Sequence, residues 1–220
     1  APTTDLDRVI GFTIPERHAR GRVARLGPVL QEILSAHAYP PVIEKLLAEA
    51  LTLTALLGAT LKGAQGQMTL QAQAPGAIVN LLVCDYKGGE LRGYVQFDAE
   101  RLSQLGKNPT LNALCAKGYL AVTFDQATTK ERYQGIVPLS GDTLAECLAA
   151  YFDQSEQLAT QFWLFTQGER CAGGVTPFVK GKMDRRRLVF MGGRFILVNP
   201  SSGGGPGARG GGGGAGAGGG

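Results

Sequence analysis

His18 and His37 are the only imidazoles in this 220-residue chain, and Cys84, Cys115, Cys147 and Cys171 are its only thiols. A Ser-His-Asp or Cys-His mechanism would have to recruit one of these six side chains. Neither histidine lies in a recognisable nucleophile motif. His37 follows a helical pattern, where a cation near the helix end is favoured by the backbone dipole, and His18 sits in the polar string PERHARGR as a solvated loop residue. The cysteines form no C-x-C or C-x-x-C pair, which disfavours a structural zinc site within the chain. Cys84, Cys115 and Cys147 lie in apolar stretches and read as buried, inert thiols. Cys171 follows Glu169 and Arg170 beside a glycine turn and is the thiol expected at the surface. The string GAQGQM lacks the Lys-Ser/Thr ending of a phosphate loop. Glu131, Asp142 and Glu146 sit at turns and a helix start, where capping explains them more simply than acid-base work.

The aromatic residues are more suggestive. Residues 151 to 165, YFDQSEQLATQFWLF, hold Tyr151, Phe152, Phe162, Trp163 and Phe165, five of the 16 aromatic side chains. Core packing accounts for them. The sharper expectation is an apolar surface that holds another protein, with these five as its substrate-binding candidates. Strand alternation sends Phe162 and Leu164 to one face and Trp163 and Phe165 to the other, so one face must point away from the first core layer.

The elements that must position this segment follow from spacing. Val29, Leu30, Ile33 and Leu34 recur at helical spacing after Pro28, and Pro40-Pro41 breaks that helix and opens another. From Ala50 to Leu61 every face is apolar or Thr, so the second half of that helix must be buried all round. The run is also too short to cross a membrane, which takes about 20 residues. Residues 68 to 74 alternate as a strand with one wet face; 77–86 and 91–98 form a hairpin about Lys87-Gly88-Gly89; and GYLAVTFD pairs with RYQGIVPL in a second hairpin. A short helix covers 110–118, and Thr143 with Glu146 forms a capping box for a helix from about Leu144 to Asp153. QFWLFT closes the series as a strand. Helices first and hairpins after, without regular strand-helix-strand alternation, predict a mixed α+β domain rather than a parallel doubly wound sheet.

Charge and glycine divide the chain near one place. Residues 1 to 180 carry 16 basic and 17 acidic side chains, residues 181 to 220 carry 6 and 1, and 13 of the 33 glycines fall in the last twenty positions. The globular part therefore has no overall electrostatic bias toward nucleic acid, although Arg17, Arg20, Arg22 and Arg25, with Arg185 to Arg187, keep a nucleic-acid or ribosome-associated module as the alternative reading. Beyond Thr176 the pattern weakens to one plausible strand, RFILV, and a Gly/Ala tail that cannot bury enough apolar area to offset chain entropy.

The string ERYQGIVPLSGDTLAECLAAYFDQSEQLATQFWLF, residues 131 to 165, resembles the signature region of the redox-regulated heat-shock chaperones, the 33-kilodalton chaperonins of bacteria. LQEILSAHAYPPVIEKLLAEALTLTALLGATLK, KGYLAVTFD and the AGG at 172–174 agree with it. The resemblance covers about residues 5 to 174 and implies that family's N-terminal chaperone domain, an α+β layered sandwich of antiparallel or mixed sheet with packed helices. It implies a cytoplasmic holdase, not an enzyme, that binds unfolding or partly folded client proteins under oxidative and heat stress without ATP, often as a homodimer, with neither membrane nor nucleic acid as a partner. In the family a C-terminal domain bearing C-x-C and C-x-x-C holds zinc, and oxidation releases the metal and forms disulfides. After Gly174 this sequence matches neither that linker nor the zinc domain, and none of its cysteines has the switch spacing. The expected organisation is a substrate-holding domain over 1–174, an unmatched segment over 175–200, a low-complexity tail over 201–220, no redox-switch domain and no cofactor in this chain.

Overall fold

The computed structural model describes residues 6–15, 19–61, 65–126, 131–155, 160–167, 170–177, 187–191 and 194–198, with side chains described as far as Thr166. Two units are distinguished, Ala1–Lys182 and Met183–Gly220. In the first unit a four-stranded antiparallel sheet has the order β1-β2-β9-β8, made of β1 (Arg8–Ile14), β2 (Ala19–Leu26), β8 (Thr160–Gln167) and β9 (Arg170–Pro177). A five-stranded antiparallel sheet has the order β5-β4-β3-β6-β7, from β3 (Gln67–Gln73), β4 (Val79–Lys87), β5 (Glu90–Phe97), β6 (Tyr119–Gln126) and β7 (Glu131–Pro138). In the second unit β10 (Arg187–Met191) pairs with β11 (Arg194–Val198), the RFILV strand.

The long apolar helix explains the layering. Helix α2 (Pro41–Gly58) packs against strands of both sheets, which is why its second half carries no polar stripe. Leu47, Leu51 and Gly58 recur on one face, where an added Cβ at Gly93 would meet Leu47 and Leu51 and one at Gly58 would meet the ring of Tyr86. Leu56 serves the opposite side, clustered with Ala24 of β2. The hydroxyls of Thr52 and Thr54, both fully buried, donate to the carbonyls of Ala48 and Ala50, so neither leaves an unmet donor inside the sandwich. Each leucine of this helix withdrawn from water contributes on the order of 2 kcal/mol.

Local signals held where they were strong. β3 alternates half-buried and buried side chains along its whole length. Gly88 and Gly89 both take positive φ, 59° and 93°, as a two-residue hairpin turn of that hand requires. The capping box of α5 (Leu144–Ser155) is present in displaced form: the Glu146 N–H donates to Thr143 Oγ1 at 3.2 Å, and the returning Glu146 carboxylate accepts from the N–H of Asp142 at 2.8 Å. The edge strand β5 has one outward N–H occupied, that of Val95, which donates to the Tyr39 hydroxyl.

Two expectations are corrected, and one helix is added. The chain opens with strands, not helices: β1 and β2 form a hairpin before α1 (Pro28–Ser35), and Asp7 accepts from the N–H groups of Gly27 and Val29 at that helix start. A short helix α3 (Ala99–Ser103), capped by Asp98, follows β5 in a stretch to which the spacing assigns no element; α4 (Leu111–Cys115), capped by Thr110, is the short helix expected over 110–118. Finally, the glycines at 173 and 174 lie inside β9, an internal strand between β2 and β8, so Cys171 belongs to a ladder and not to a glycine turn.

Candidate functional site

β8 carries its aromatic residues as the alternation requires. Phe162 and Leu164 turn inward and pack against the core. Trp163 and Phe165 turn to the outer face of the four-stranded sheet, with Trp163 half-buried and Phe165 38% exposed. Tyr151 is fully buried, and Phe152 is half-buried, edge-on to Tyr151 at 5.1 Å and tilted against Phe162 at 5.7 Å. The five candidates therefore divide: Tyr151, Phe152 and Phe162 form the joint between α5 and β8, while Trp163 and Phe165 face outward.

The outer face continues beyond the segment in which it was expected. Trp163 stands opposite Gly174, Gly174 opposite Val23, and Val23 opposite Ile10. One row thus crosses all four strands with apolar residues at three positions and a glycine at the fourth. Ile10 is 54% exposed, and Phe12, two pairs further along, stands opposite Gly21. The next row, Phe165-Ala172-Arg25-Arg8, ends in two cations. Ile10, Phe12 and Val23 were missed by sequence reasoning; the signal was the β-branched and aromatic run RVIGFTI ahead of Pro15, the composition of a strand.

Of Arg17, Arg20, Arg22 and Arg25, the last two are those whose side chains are described. Arg22 and Arg25 are three apart on β2 and turn to opposite faces. Arg17, His18, Arg185 and Arg186 fall outside the described residues. His37 is exposed in the turn after α1, its ring 5.1 Å from Tyr39 and 5.6 Å from Tyr94, so aromatic neighbours accompany it at the helix end.

The described thiols are buried in three separate elements, Cys84 in β4, Cys115 in α4 and Cys147 in α5. Burial pushes all three above the ordinary thiol range: Cys115 up to about 12, helped by neighbouring Cys147; Cys84 further, helped by Asp85; and Cys147 against the opposing N–H groups of Gly141 and Ser140. Such thiols hold their protons, the reverse of what a thiolate ligand needs. We expect iodoacetamide at pH 8 to leave these three unlabelled in the native chain and to modify all three in denaturant, read by peptide mass. Since the folded pKa values are raised, the stability these thiols confer is complete below the ordinary value of 9.0 and is lost as the pH climbs toward 12. Labelling of any of the three at the rate of free cysteine would show that the core is open there.

Among the described residues no group of three or more His, Cys, Asp or Glu side chains is placed to hold a metal, so a four-thiolate zinc site does not fit them. A cleft of about 450 Å³ opens between α2, α4 and the start of α5, where burial raises the Glu49 carboxyl and Lys45 pulls it back. Among the described residues no helix is long and apolar enough to cross a membrane.

Comparison with known proteins decides the family. The Hsp33 protein family model matches residues 7–176. The chain belongs to the Hsp33 family. It is 41% identical over 167 residues to the 33 kDa chaperonin of Caulobacter vibrioides, covering 73% of this chain and 55% of that protein. It is 42% identical over 162 residues to the 33 kDa chaperonin of Ectopseudomonas mendocina, covering 74% and 53%. The crystal structure of the 33 kDa chaperonin from Thermotoga maritima superposes with a TM-score of 0.64 at 24% identity, covering 77% of this chain and 60% of that one, and shares the α+β fold. The chain spans about half the length of the curated relatives it matches. The Hsp33 match ends at Thr176, within β9, and β10 and β11 lie beyond it.

Proposed function

We propose that this chain is the client-holding part of an ATP-independent cytoplasmic chaperone, with unfolding proteins and a second copy of itself as partners. The observation that carries the reading is the apolar row Ile10-Val23-Gly174-Trp163 with Phe165 beside it, on the face of the four-stranded sheet turned away from α2. Wide, shallow apolar surface rimmed by cations suits chains that have lost their shape, because apolar burial needs no fixed pattern of donors and acceptors. No bond is made or broken in this reading. Family resemblance adds redox control exerted by sequence beyond the matched residues; holding by residues 7–176 themselves needs no oxidant.

The test is light scattering of a thermally unfolding client in the presence of the chain and a reductant. Suppression at molar excess is the expected result, with little loss as ionic strength rises, since apolar contacts are flat or strengthened by salt whereas phosphate contacts weaken steeply. Trp163 is the chain's only tryptophan, so client binding should also shift its emission to the blue. Unsuppressed aggregation with unchanged Trp163 emission would refute the reading.

A further inference from the structure

The outer face of the five-stranded sheet has a pattern that client holding does not require. Four rows of outward side chains cross it in the order β5, β4, β3, β6, β7. The row at one end is Glu90-Lys87-Gln67-Asp125-Arg132, followed by Arg92-Asp85-Thr69-Thr123-Gln134. Next come Tyr94-Val83-Gln71-Ala121-Ile136 and Gln96-Leu81-Gln73-Tyr119-Pro138. Three of the six large exposed hydrophobic residues among those described lie here, Tyr94, Tyr119 and Ile136, the last 58% exposed. The face is held in shape by its own bonds: the Thr69 hydroxyl donates to Asp85, Tyr119 to Gln73, and the Gln134 amide to Thr123.

The charged row is antisymmetric about β3. Glu90 lies two strands to one side and Arg132 two strands to the other; Lys87 and Asp125 are the inner pair; Gln67 stands on the centre. A two-fold axis along β3 therefore lays Glu90 on Arg132, Lys87 on Asp125, and Gln67 on its own copy. The same operation lays Tyr94 on Ile136, Leu81 on Tyr119 and Val83 on Ala121. An axis across the strands would instead press Lys87 and Asp125 onto the row holding Leu81 and Tyr119. We infer that this face is where two copies of the chain pair, sheet on sheet, about a two-fold axis parallel to β3.

Strands stay aligned under that operation, as stacked sheets prefer. Five strands about 4.8 Å apart and four outward rows about 6.7 Å apart offer roughly 600 Å² per copy, or about 1,200 Å² in all, the lower limit of a specific interface. A reversible, concentration-dependent dimer is the consequence. The inference rests on the homodimer part of the proposed function and is independent of client holding.

Sedimentation equilibrium of the full chain in reductant, across the micromolar range, tests it. Glu90→Arg places like charges opposite one another twice by symmetry, as does Arg132→Glu, and each should weaken dimerisation about tenfold or more. The double variant restores opposite charges with exchanged signs and should return within about threefold of the unaltered chain. All four positions in the charged pairs are exposed, so melting temperatures should stay level and will register any variant that misfolds. A chain monomeric throughout the range overturns the homodimer reading together with this face. A dimer that ignores both single reversals, or that the double variant fails to restore, overturns the face and leaves the homodimer in place.

Discussion

Replacing Ile10, Trp163 and Phe165 together by serine should abolish suppression of client aggregation while leaving the fold intact. All three project from the outer face of the four-stranded sheet, and none belongs to the buried core. Loss of contact area at about 25 cal/mol per Å², over three side chains that could each bury on the order of 100 Å² against a client, corresponds to several kcal/mol of binding, hence at least a hundredfold in affinity. The folded chain should change little, because side chains already wetted lose less on truncation than those in the core. A control that changes Phe162, one residue from Trp163 but turned inward, should behave in the opposite way, lowering the melting temperature through lost core packing. Light scattering and thermal denaturation together separate the two. Full holding activity in the triple variant would move the client surface elsewhere on the molecule.

How much of this surface was legible follows from which periodicities survive in the letters. β3 shows its alternation because Met68, Leu70 and Ala72 are buried between polar neighbours, and α2 shows its all-round burial because no charge follows Glu49 within it. The direction of Trp163 and Phe165 came from the same rule applied to β8. β2 was hidden because ARGRVARL places arginine on both faces, so neither period-two nor period-3.6 spacing stands out. β9 was hidden because RCAGGVTP puts two glycines at the centre of a strand, where a turn is the cheaper local reading. Its place between β2 and β8 is a non-local pairing that no window of residues contains. The row that joins Trp163 to Val23 and Ile10 depends on that pairing, which is why the sequence identified one edge of the surface and not its extent.

The same joint that turns Trp163 outward should be brittle at Gly135. This glycine lies on the inner face of β7 opposite Val122, and an added Cβ would come closer than 3 Å to the ring of Tyr151. Tyr151 has little room to withdraw: it is fully buried on α5, with Phe152 edge-on beside it and Phe152 in turn against Phe162 of β8. Gly135→Ala must therefore displace either α5 or the end of the sheet. Overpacking of this kind costs about 3 kcal/mol, which in a domain of this size lowers the melting temperature by roughly 6–12 °C. Gly11→Ala is the matched control in another strand, since its Cβ would find nothing nearer than the Gly21 carbonyl oxygen at 4.0 Å, and it should melt within about 2 °C of the unaltered chain. Because Phe162 follows α5 and Trp163 follows Phe162 along β8, Gly135→Ala should also shift Trp163 emission to the red before global unfolding. If it melts with the unaltered chain, Tyr151 is not the keystone between the two sheets, and the outward set of Trp163 and Phe165 must be fixed by the β8–β9 ladder alone.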